Sequence, residues 1–165
     1  GIVGLGRIGT EVALRAHAFG MNVLAFDPYI KRSAALRAKA KLTTLSNLLK
    51  SSDFVSLHVP LTAETKSLVN QKFLSKMKKG SFLINASRGA VMEDEFQILA
   101  AVKSGSLAGA ALDVFRHEPF LVGAKFNSNQ VILTPHVAGQ TFESIAAISL
   151  EAVEVLLKYF KLSNS

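Results

Sequence analysis

The sequence of 165 residues contains no cysteine. Disulfide bonds, thiolate chemistry and cysteine-ligated metal sites are therefore excluded, and no metal site is expected. The absence of cysteine fits a reducing compartment, and we expect a cytoplasmic protein. No apolar run reaches the ~18 residues that a membrane span requires, so we expect no membrane partner.

Acidic residues are scarce, since 12 acids face 19 lysines and arginines and the formal net charge is +7. A protein that reads nucleic acid would concentrate such charge and interleave it with aromatic residues. Here the densest basic segments, 31–41 and 72–79, have the pattern of exposed helices. The charge therefore indicates solvated surface with some attraction for anionic ligands, and no nucleic-acid partner is expected.

The first nine residues contain the glycine pattern Gly4-x-Gly6-x-x-Gly9, directly after a short β-branched run. In a phosphate-binding loop, Gly4 permits a tight turn, Gly6 lets a pyrophosphate approach the backbone, and Gly9 lets the helix pack on the sheet. The N–H groups at the start of that helix would face the phosphates. By itself this spacing is a weak signal, because glycines also cluster in ordinary turns.

The residues after the loop strengthen the prediction of a dinucleotide site. Apolar residues recur at helical spacing, which predicts a helix: Ile8, Val12, Ala16 and Phe19. The segment 22–26 then has the pattern of a buried strand and ends at Asp27. An acid there can bind both hydroxyls of an adenosine ribose and would repel a 2′-phosphate, so the expected cofactor is NAD. Asp27 could instead be a helix cap or a turn residue before Pro28, and the nearby Lys31 and Arg32 raise the question of NADP.

Short apolar strands alternate with helical segments along the chain. Strands are predicted at the start of the chain and at 22–26, 54–57, 81–85, 109–114 and 131–133, with a loop at 120–130. This alternation predicts an α/β fold, a Rossmann-type doubly wound parallel sheet in three αβα layers. Ligands of such sheets bind outside the carboxyl ends of the strands. Several polar residues are predicted to lie at those ends: Asp27, His58, Arg88, Asp113, Glu118 and His136.

Some of these residues suit the transfer of a hydride between a nicotinamide and a small acid. His136 could move a proton on or off the substrate oxygen, because imidazole titrates near neutral pH. Glu118 could orient that imidazole, and the planar fork of Arg88 matches a carboxylate. Asp113 could accept a hydrogen bond from the nicotinamide amide. The ordinary alternatives are a surface arginine before a turn at Gly89 and a glutamate that begins a loop.

Several motifs, in order over almost the whole chain, carry a family resemblance. They are Gly-Leu-Gly-Arg-Ile-Gly at 4–9, Ala-Phe-Gly-Met at 18–21, Ser-Asp-Phe-Val-Ser-Leu-His-Val-Pro-Leu-Thr at 52–62, Asn-Ala-Ser-Arg-Gly at 85–89, Ala-Ala-Leu-Asp-Val-Phe at 110–115 with Glu-Pro at 118–119, and Thr-Pro-His at 134–136. Together they resemble the nucleotide-binding domain of D-isomer-specific 2-hydroxyacid dehydrogenases.

The resemblance implies a role for individual residues. It implies that Arg88 binds the carboxylate and carbonyl of the substrate, and that His136 is the acid/base group, coupled to Glu118. It further implies contacts to several parts of NAD. Arg7 and Ile8 would contact the pyrophosphate, and Asp27 would contact the ribose. Val59, Pro60 and Thr65 would lie on the adenosine side, and Ala86, Asp113 and the turn from His136 to Gly139 would lie near the nicotinamide.

The resemblance also bears on domain organisation. In this family the NAD-binding domain is inserted into a second domain that supplies much of the substrate pocket, and nothing in the sequence corresponds to that second domain. We therefore expect residues 1–140 to form the NAD-binding domain without the start of its first strand. Residues 141–165 are expected to form a helix that leads back to a substrate domain outside this chain. A homodimer formed through this domain is also suggested.

Three functions are open from the sequence. The first is an oxidoreductase that acts on a D-2-hydroxy or 2-oxo acid. The second is an NADH-binding corepressor on the same scaffold that recruits partner peptides, although the segment 134–141 looks more like the enzymes. The third is a nucleotide-binding fragment with no activity of its own, and the isolated piece is expected to be inactive.

Overall fold

The computed structural model describes residues 1–120 and 129–160. The chain divides into two compact units, Gly1–Pro135 and His136–Ser165. In the described residues the first unit contains seven strands: β1 (Ile2–Val3), β2 (Leu24–Phe26), β3 (Lys41–Leu42), β4 (Phe54–Leu57), β5 (Ser81–Asn85), β6 (Leu107–Leu112) and β7 (Val131–Leu133). Its helices are α1 (Arg7–Ala18), α2 (Arg32–Arg37), α3 (Leu45–Ser51), α4 (Gln71–Leu74) and α5 (Glu95–Lys103), with a 3₁₀ turn at Gly89–Val91.

All strand pairs are parallel, and the strands lie side by side in the order β3-β2-β1-β4-β5-β6-β7. The chain therefore winds outward from β1 in one direction and then from β4 in the other. The direction reverses between β1 and β4, and in open parallel sheets the crevice at such a point receives the ligand. This topology confirms the predicted Rossmann-type doubly wound sheet.

Helices cover both faces of the sheet. The neighbouring residues Ile2 and Val3 belong to different apolar clusters, because successive side chains of a strand point to opposite faces. The cluster around Ile2 takes buried residues from α1 and α2, whereas the cluster around Val3 takes them from α3, α4 and α5. The three layers predicted from the sequence follow from this arrangement.

The sequence prediction missed one strand of the sheet and shifted another by two residues. It assigned Lys41 to a charged helical segment, but Lys41 and Leu42 form the edge strand β3, which pairs with β2. Two residues carry too little periodicity to reveal a strand, so only the pairing identifies it. The fifth predicted strand, 109–114, lies at 107–112, where it pairs with β5 with one register shift between Ser81 and Phe82. Residues 121–128 of the predicted loop lie outside the described residues.

The second unit contains one long helix, α6 (Phe142–Tyr159), which begins where a closing helix was predicted. Thr141 caps the helix by accepting a hydrogen bond from the Ser144 backbone N–H at 3.1 Å. None of the residues of α6 is buried, although many are apolar. Within the described ranges, no helix combines the length and the apolar character that a membrane crossing requires.

Candidate active site

Close backbone approaches fix the shape of the glycine loop. Gly4 has a φ of +89°, and its N–H donates to the Phe26 carbonyl of the neighbouring strand at 2.9 Å. A Cβ at Gly4 would stand 2.6 Å from the His58 carbonyl oxygen, and a Cβ at Gly9 would stand 2.1 Å from that of Gly4. Both positions therefore require glycine, as the sequence predicted for the turn and for the packing of the helix.

Gly6 differs from the other two glycines because nothing lies within 4 Å of the place where its Cβ would be. Gly6 precedes α1 without a side-chain cap, and the first turn of this 12-residue helix contains no acid. Arg7 and Ile8 follow and are exposed. The N–H groups at the start of α1 thus face an open surface next to a cation, which suits a phosphate group.

Asp27 braces this loop from the end of β2. Its Oδ2 accepts a hydrogen bond from the Leu5 N–H at 2.9 Å, and its Oδ1 accepts one from the Tyr29 N–H at 2.9 Å. The hydrogen bond from the Tyr29 N–H makes Asp27 a turn residue, which is the alternative role that the sequence analysis left open. Each carboxylate oxygen can accept more than one hydrogen bond, so the side chain can also bind a ribose. Asp27 is half-buried beside the glycine loop.

The segment after β4 carries the residues predicted for the adenosine side. Val59 borders the glycine loop, because a Cβ at Gly4 would meet its Cγ1 at 2.8 Å. The Thr65 hydroxyl donates to the Pro60 carbonyl at 2.6 Å and accepts from the Thr62 N–H at 2.8 Å. Thr65 therefore holds the segment 60–65 in a closed turn at the end of β4.

His58 lies at the same end of β4 and is half-buried. Its Nε2 lies 2.9 Å from the Ser56 hydroxyl. Burial lowers the pKa of His58 below its usual 6.5. Burial disfavours the imidazolium form of His58, whose own carbonyl oxygen makes the close approach to Gly4.

The turn that carries Arg88 is organised by Asn85, which is fully buried at the end of β5. The Asn85 Oδ1 accepts from the Ser87 N–H at 3.0 Å and from the Ser87 hydroxyl at 2.7 Å, and its Nδ2 donates to the Arg88 carbonyl at 3.2 Å. The Arg88 Nη1 donates to the Ser87 carbonyl at 2.7 Å. Arg88 is exposed, and Ala86 is exposed beside it.

The segment that carries Asp113 and Glu118 follows β6. Asp113 is buried, and its Oδ1 accepts from the Thr134 hydroxyl at 2.5 Å. The Glu118 Oε1 accepts from the Phe115 N–H at 2.9 Å. A Cβ at Gly89 would stand 1.8 Å from the Phe115 carbonyl oxygen, so this segment touches the turn of Arg88. The first unit therefore brings the Arg88 turn and the Glu118 segment together.

Two residues that support this contact were not predicted from the sequence. Glu95 is buried at the start of α5, and its Oε1 accepts a hydrogen bond from the Arg116 N–H at 2.5 Å. The Arg116 Nη1 donates to the Met92 carbonyl at 2.9 Å. An acid at the start of a helix is explained by the helix dipole, so the sequence pattern gave no signal of a contact 21 residues away.

His136 and Gly139 lie in the second unit. His136 has a φ of +57°, a left-handed conformation that is uncommon outside glycine, and its side chain is exposed. Its carbonyl accepts a hydrogen bond from the Gln140 Nε2 at 2.9 Å. Non-glycine residues in this conformation concentrate at functional sites. The coupling of His136 to Glu118, which belongs to the first unit, stays a prediction.

The match to known families decides the assignment. A family model described as the NAD-binding domain of D-isomer specific 2-hydroxyacid dehydrogenases matches residues 1–138. The chain belongs to this family. D-3-phosphoglycerate dehydrogenase of Bacillus subtilis is 43% identical over 161 residues, which cover 98% of this chain and 30% of that protein. Glyoxylate reductase of Thermococcus litoralis is 41% identical over 161 residues, which cover 98% of this chain and 48% of that protein.

A solved structure has the same fold. The crystal structure of D-lactate dehydrogenase from Aquifex aeolicus, complexed with NAD and lactic acid, matches with a TM-score of 0.86 and 35% identity. The match covers 97% of this chain and 52% of that chain. This chain therefore spans between about a third and a half of the length of these relatives. The comparisons confirm an NAD-binding domain of a D-2-hydroxyacid dehydrogenase, with NAD as the cofactor of the family. The roles of individual site residues stay predictions.

Proposed function

We propose that the longer protein containing this chain is an NAD-dependent D-2-hydroxyacid dehydrogenase, in which this chain binds the cofactor. The main support is the arrangement of three groups at the carboxyl ends of strands of the same parallel sheet. The glycine loop follows β1, Asp27 follows β2 and accepts a hydrogen bond from the Leu5 N–H of the loop, and Arg88 follows β5. A nucleotide site and a carboxylate-binding group therefore share one edge of the sheet.

The residues present fit NAD. The open surface at Gly6 and the start of α1 suit the pyrophosphate, with Arg7 and Ile8 beside it, and Asp27 suits the ribose. We assign the remaining contacts as follows: Gly4 and Gly9 shape the loop, Val59, Pro60 and Thr65 line the adenosine side, and Ala86, Asp113, His136 and Gly139 lie near the nicotinamide. When bound, NAD supplies the acceptor of a hydride from C2 of a hydroxy acid and, once reduced, the donor of a hydride to an oxo acid.

Three side chains would act on the substrate. The guanidinium of Arg88 binds the carboxylate and fixes the acid in the site. His136 takes the proton of the hydroxyl group in oxidation and returns it in reduction. Glu118 stabilises the imidazolium of His136 while the proton resides there. General acid–base assistance of this kind contributes ~10²–10⁴-fold to the rate.

The first test uses the full-length protein with a 2-oxo acid and NADH. His136→Ala should lower kcat by at least ~10²-fold with little change in the Kd of NADH, since the proton carrier is lost while the contacts to the pyrophosphate and ribose are kept. Glu118→Gln should move the pH profile of reduction to lower pH, because the imidazolium loses its counter-charge. His17→Ala is the matched control, since His17 is an exposed histidine near the end of α1.

Two results would contradict the proposal. Retained turnover in His136→Ala would remove the acid/base role, and an unmoved pH profile in Glu118→Gln would remove the coupling. A full-length protein that captures peptides in an NADH-dependent way, without turnover of any 2-oxo acid, would instead be a corepressor on this scaffold. The isolated chain is expected to be inactive, since the substrate domain lies outside it.

The domain organisation is part of the same proposal. Residues 1–140 form the NAD-binding domain, and the helix from residue 141 leads back to the substrate domain. The exposed apolar residues of α6 support this, because such a surface is usually covered in the intact protein. We also propose a cytoplasmic homodimer formed through this domain. A monomeric mass of the full-length protein in light scattering would contradict the dimer, and a labelled protein found outside the cytoplasm would contradict the location.

A further inference from the structure

Glu95 is a buried carboxylate whose hydrogen-bond partner lies outside its own helix. Its exposed fraction is 6%, and its Oε1 accepts from the Arg116 N–H at 2.5 Å. The helix does not need Glu95 as a cap, because Asp94 already accepts a hydrogen bond from the Phe96 N–H at 2.9 Å. Burial of a carboxylate is costly unless it is well hydrogen-bonded. The contact with Arg116 is therefore the feature that needs an explanation.

Two carboxylates bind consecutive backbone N–H groups in the segment after β6. The Phe115 N–H donates to Glu118 at 2.9 Å, and the next N–H, that of Arg116, donates to Glu95. Because the two N–H groups belong to adjacent peptide units, a shift at Arg116 also moves the group that holds the carboxylate of Glu118. Glu95 and Glu118 are thus linked through adjacent peptide units.

Two further contacts attach the same segment to the turn that carries Arg88. The Arg116 Nη1 donates to the Met92 carbonyl at 2.9 Å, and Gly89 allows the Phe115 carbonyl to approach its α-carbon. Glu95 itself begins a helix that is anchored in the core by Ile98 and Val102. The segment is therefore held against a rigid element and not only against another loop.

We propose that Glu95 is a positioning residue that holds the Glu118 segment in place against the Arg88 turn. The inference rests on the proposed function, in which Arg88 and Glu118 act on the substrate. Glu95 does not touch the substrate itself. It sets where the carboxylate of Glu118 stands relative to Arg88.

The test compares variants of the full-length protein. Glu95→Met removes the hydrogen-bond acceptor and keeps the side-chain length, and Glu95→Ala removes both. Either variant should lower kcat by about 10-fold to 100-fold, the size of effect that a displaced catalytic group produces, while the Kd of NADH changes by less than ~2-fold. Glu95→Gln should restore most of kcat, because its amide oxygen can accept the same hydrogen bond.

Asp94→Ala is the matched control, since it removes a neighbouring acid and a helix cap without touching Arg116. Its kcat should stay near that of the wild type. If Glu95 acts through Glu118, then adding Glu95→Met to Glu118→Gln should lower kcat by less than ~2-fold further. Hydrogen exchange of the segment 113–118, measured by mass spectrometry, should accelerate in Glu95→Met but not in Glu95→Gln or Asp94→Ala.

The outcomes separate this inference from the proposed function. If the wild type turns over a 2-oxo acid and Glu95→Met behaves like Asp94→Ala, the inference is overturned and the proposed function stands. Full additivity with Glu118→Gln, or a loss of kcat in Glu95→Gln as large as in Glu95→Met, also overturns it. A wild type without turnover overturns the proposed function and the catalytic part of the inference together. The exchange measurement then decides whether Glu95 holds the segment.

Discussion

The glycine loop allows structural and ligand-binding roles to be separated by two alanine substitutions. Gly6 and Gly9 lie three residues apart in the same loop, yet their surroundings differ. A Cβ at Gly9 would meet the Gly4 carbonyl oxygen at 2.1 Å, whereas a Cβ at Gly6 would meet no protein atom within 4 Å. We therefore expect Gly9→Ala to destabilise the fold and Gly6→Ala to weaken nucleotide binding.

The cost of Gly9→Ala follows from the distance. The Gly4 carbonyl would have to retreat by more than 1 Å to reach the ~3.4 Å at which ordinary contact begins. Both partners are backbone groups, so no side-chain rotation can relieve the clash, and the overpacking cost should lie near ~3 kcal/mol, the upper part of its range. Alanine gains about 1 kcal/mol of helix propensity over glycine at this position in α1. The free energy of unfolding should thus fall by about 2 kcal/mol.

Gly6→Ala should have the opposite profile. Its φ of −72° suits alanine, and the loss at a helix cap should change the free energy of unfolding by at most ~1 kcal/mol. The added methyl group would stand where a pyrophosphate must approach the backbone. We expect at least a ~10-fold higher Kd for NADH, which corresponds to about 1.4 kcal/mol.

Urea denaturation and NADH fluorescence titration of the full-length variants measure the two effects. A Gly9→Ala variant as stable as the wild type would show that the close approach carries no constraint. A Gly6→Ala variant that binds NADH with wild-type affinity would show that the open surface does not receive the pyrophosphate.

Two further predictions concern charged groups at the same edge of the sheet. Asp27→Ala in the full-length protein should abolish the preference for NADH over NADPH, because the carboxylate that repels a 2′-phosphate is lost. Parallel fluorescence titrations with NADH and NADPH measure this preference, and an unchanged preference would contradict the ribose assignment. Burial lowers the pKa of His58 below 6.5, so the unfolded state binds more protons and the free energy of unfolding should decline as pH falls below about 6.5. Urea titrations at pH 7.5 and at pH 5.5 test this, with His58→Gln as the comparison, and an equal pH dependence in both proteins would refute it.

The parts of the fold that local patterns specify could be predicted from the sequence. The spacing of Gly4, Gly6 and Gly9 specified the loop, and β4, β5 and β7 lie where apolar runs indicated them. These features depend on residues that are close in the chain.

Features that depend on strand order could not be predicted in this way. The bond from Leu5 to Asp27 exists because β1 and β2 are neighbours, and the pattern around Asp27 says nothing about Leu5. The contact of Glu95 with Arg116 joins α5 to the end of β6 and had no signal in the sequence. The left-handed backbone of His136 was likewise not predicted, since nothing in its neighbours requires it.

Under the proposed ribose assignment Asp27 has two uses, and this limits how the domain can evolve a different cofactor preference. Acceptance of NADP requires the loss of the acid, yet the same carboxylate accepts the hydrogen bond that holds the Leu5 backbone in the glycine loop. A single change to an apolar residue would alter specificity and loosen the loop in one step. Replacement by asparagine or serine keeps an oxygen for the Leu5 N–H. Lineages that switch cofactor should therefore pass through such residues before other side chains become tolerable at this position.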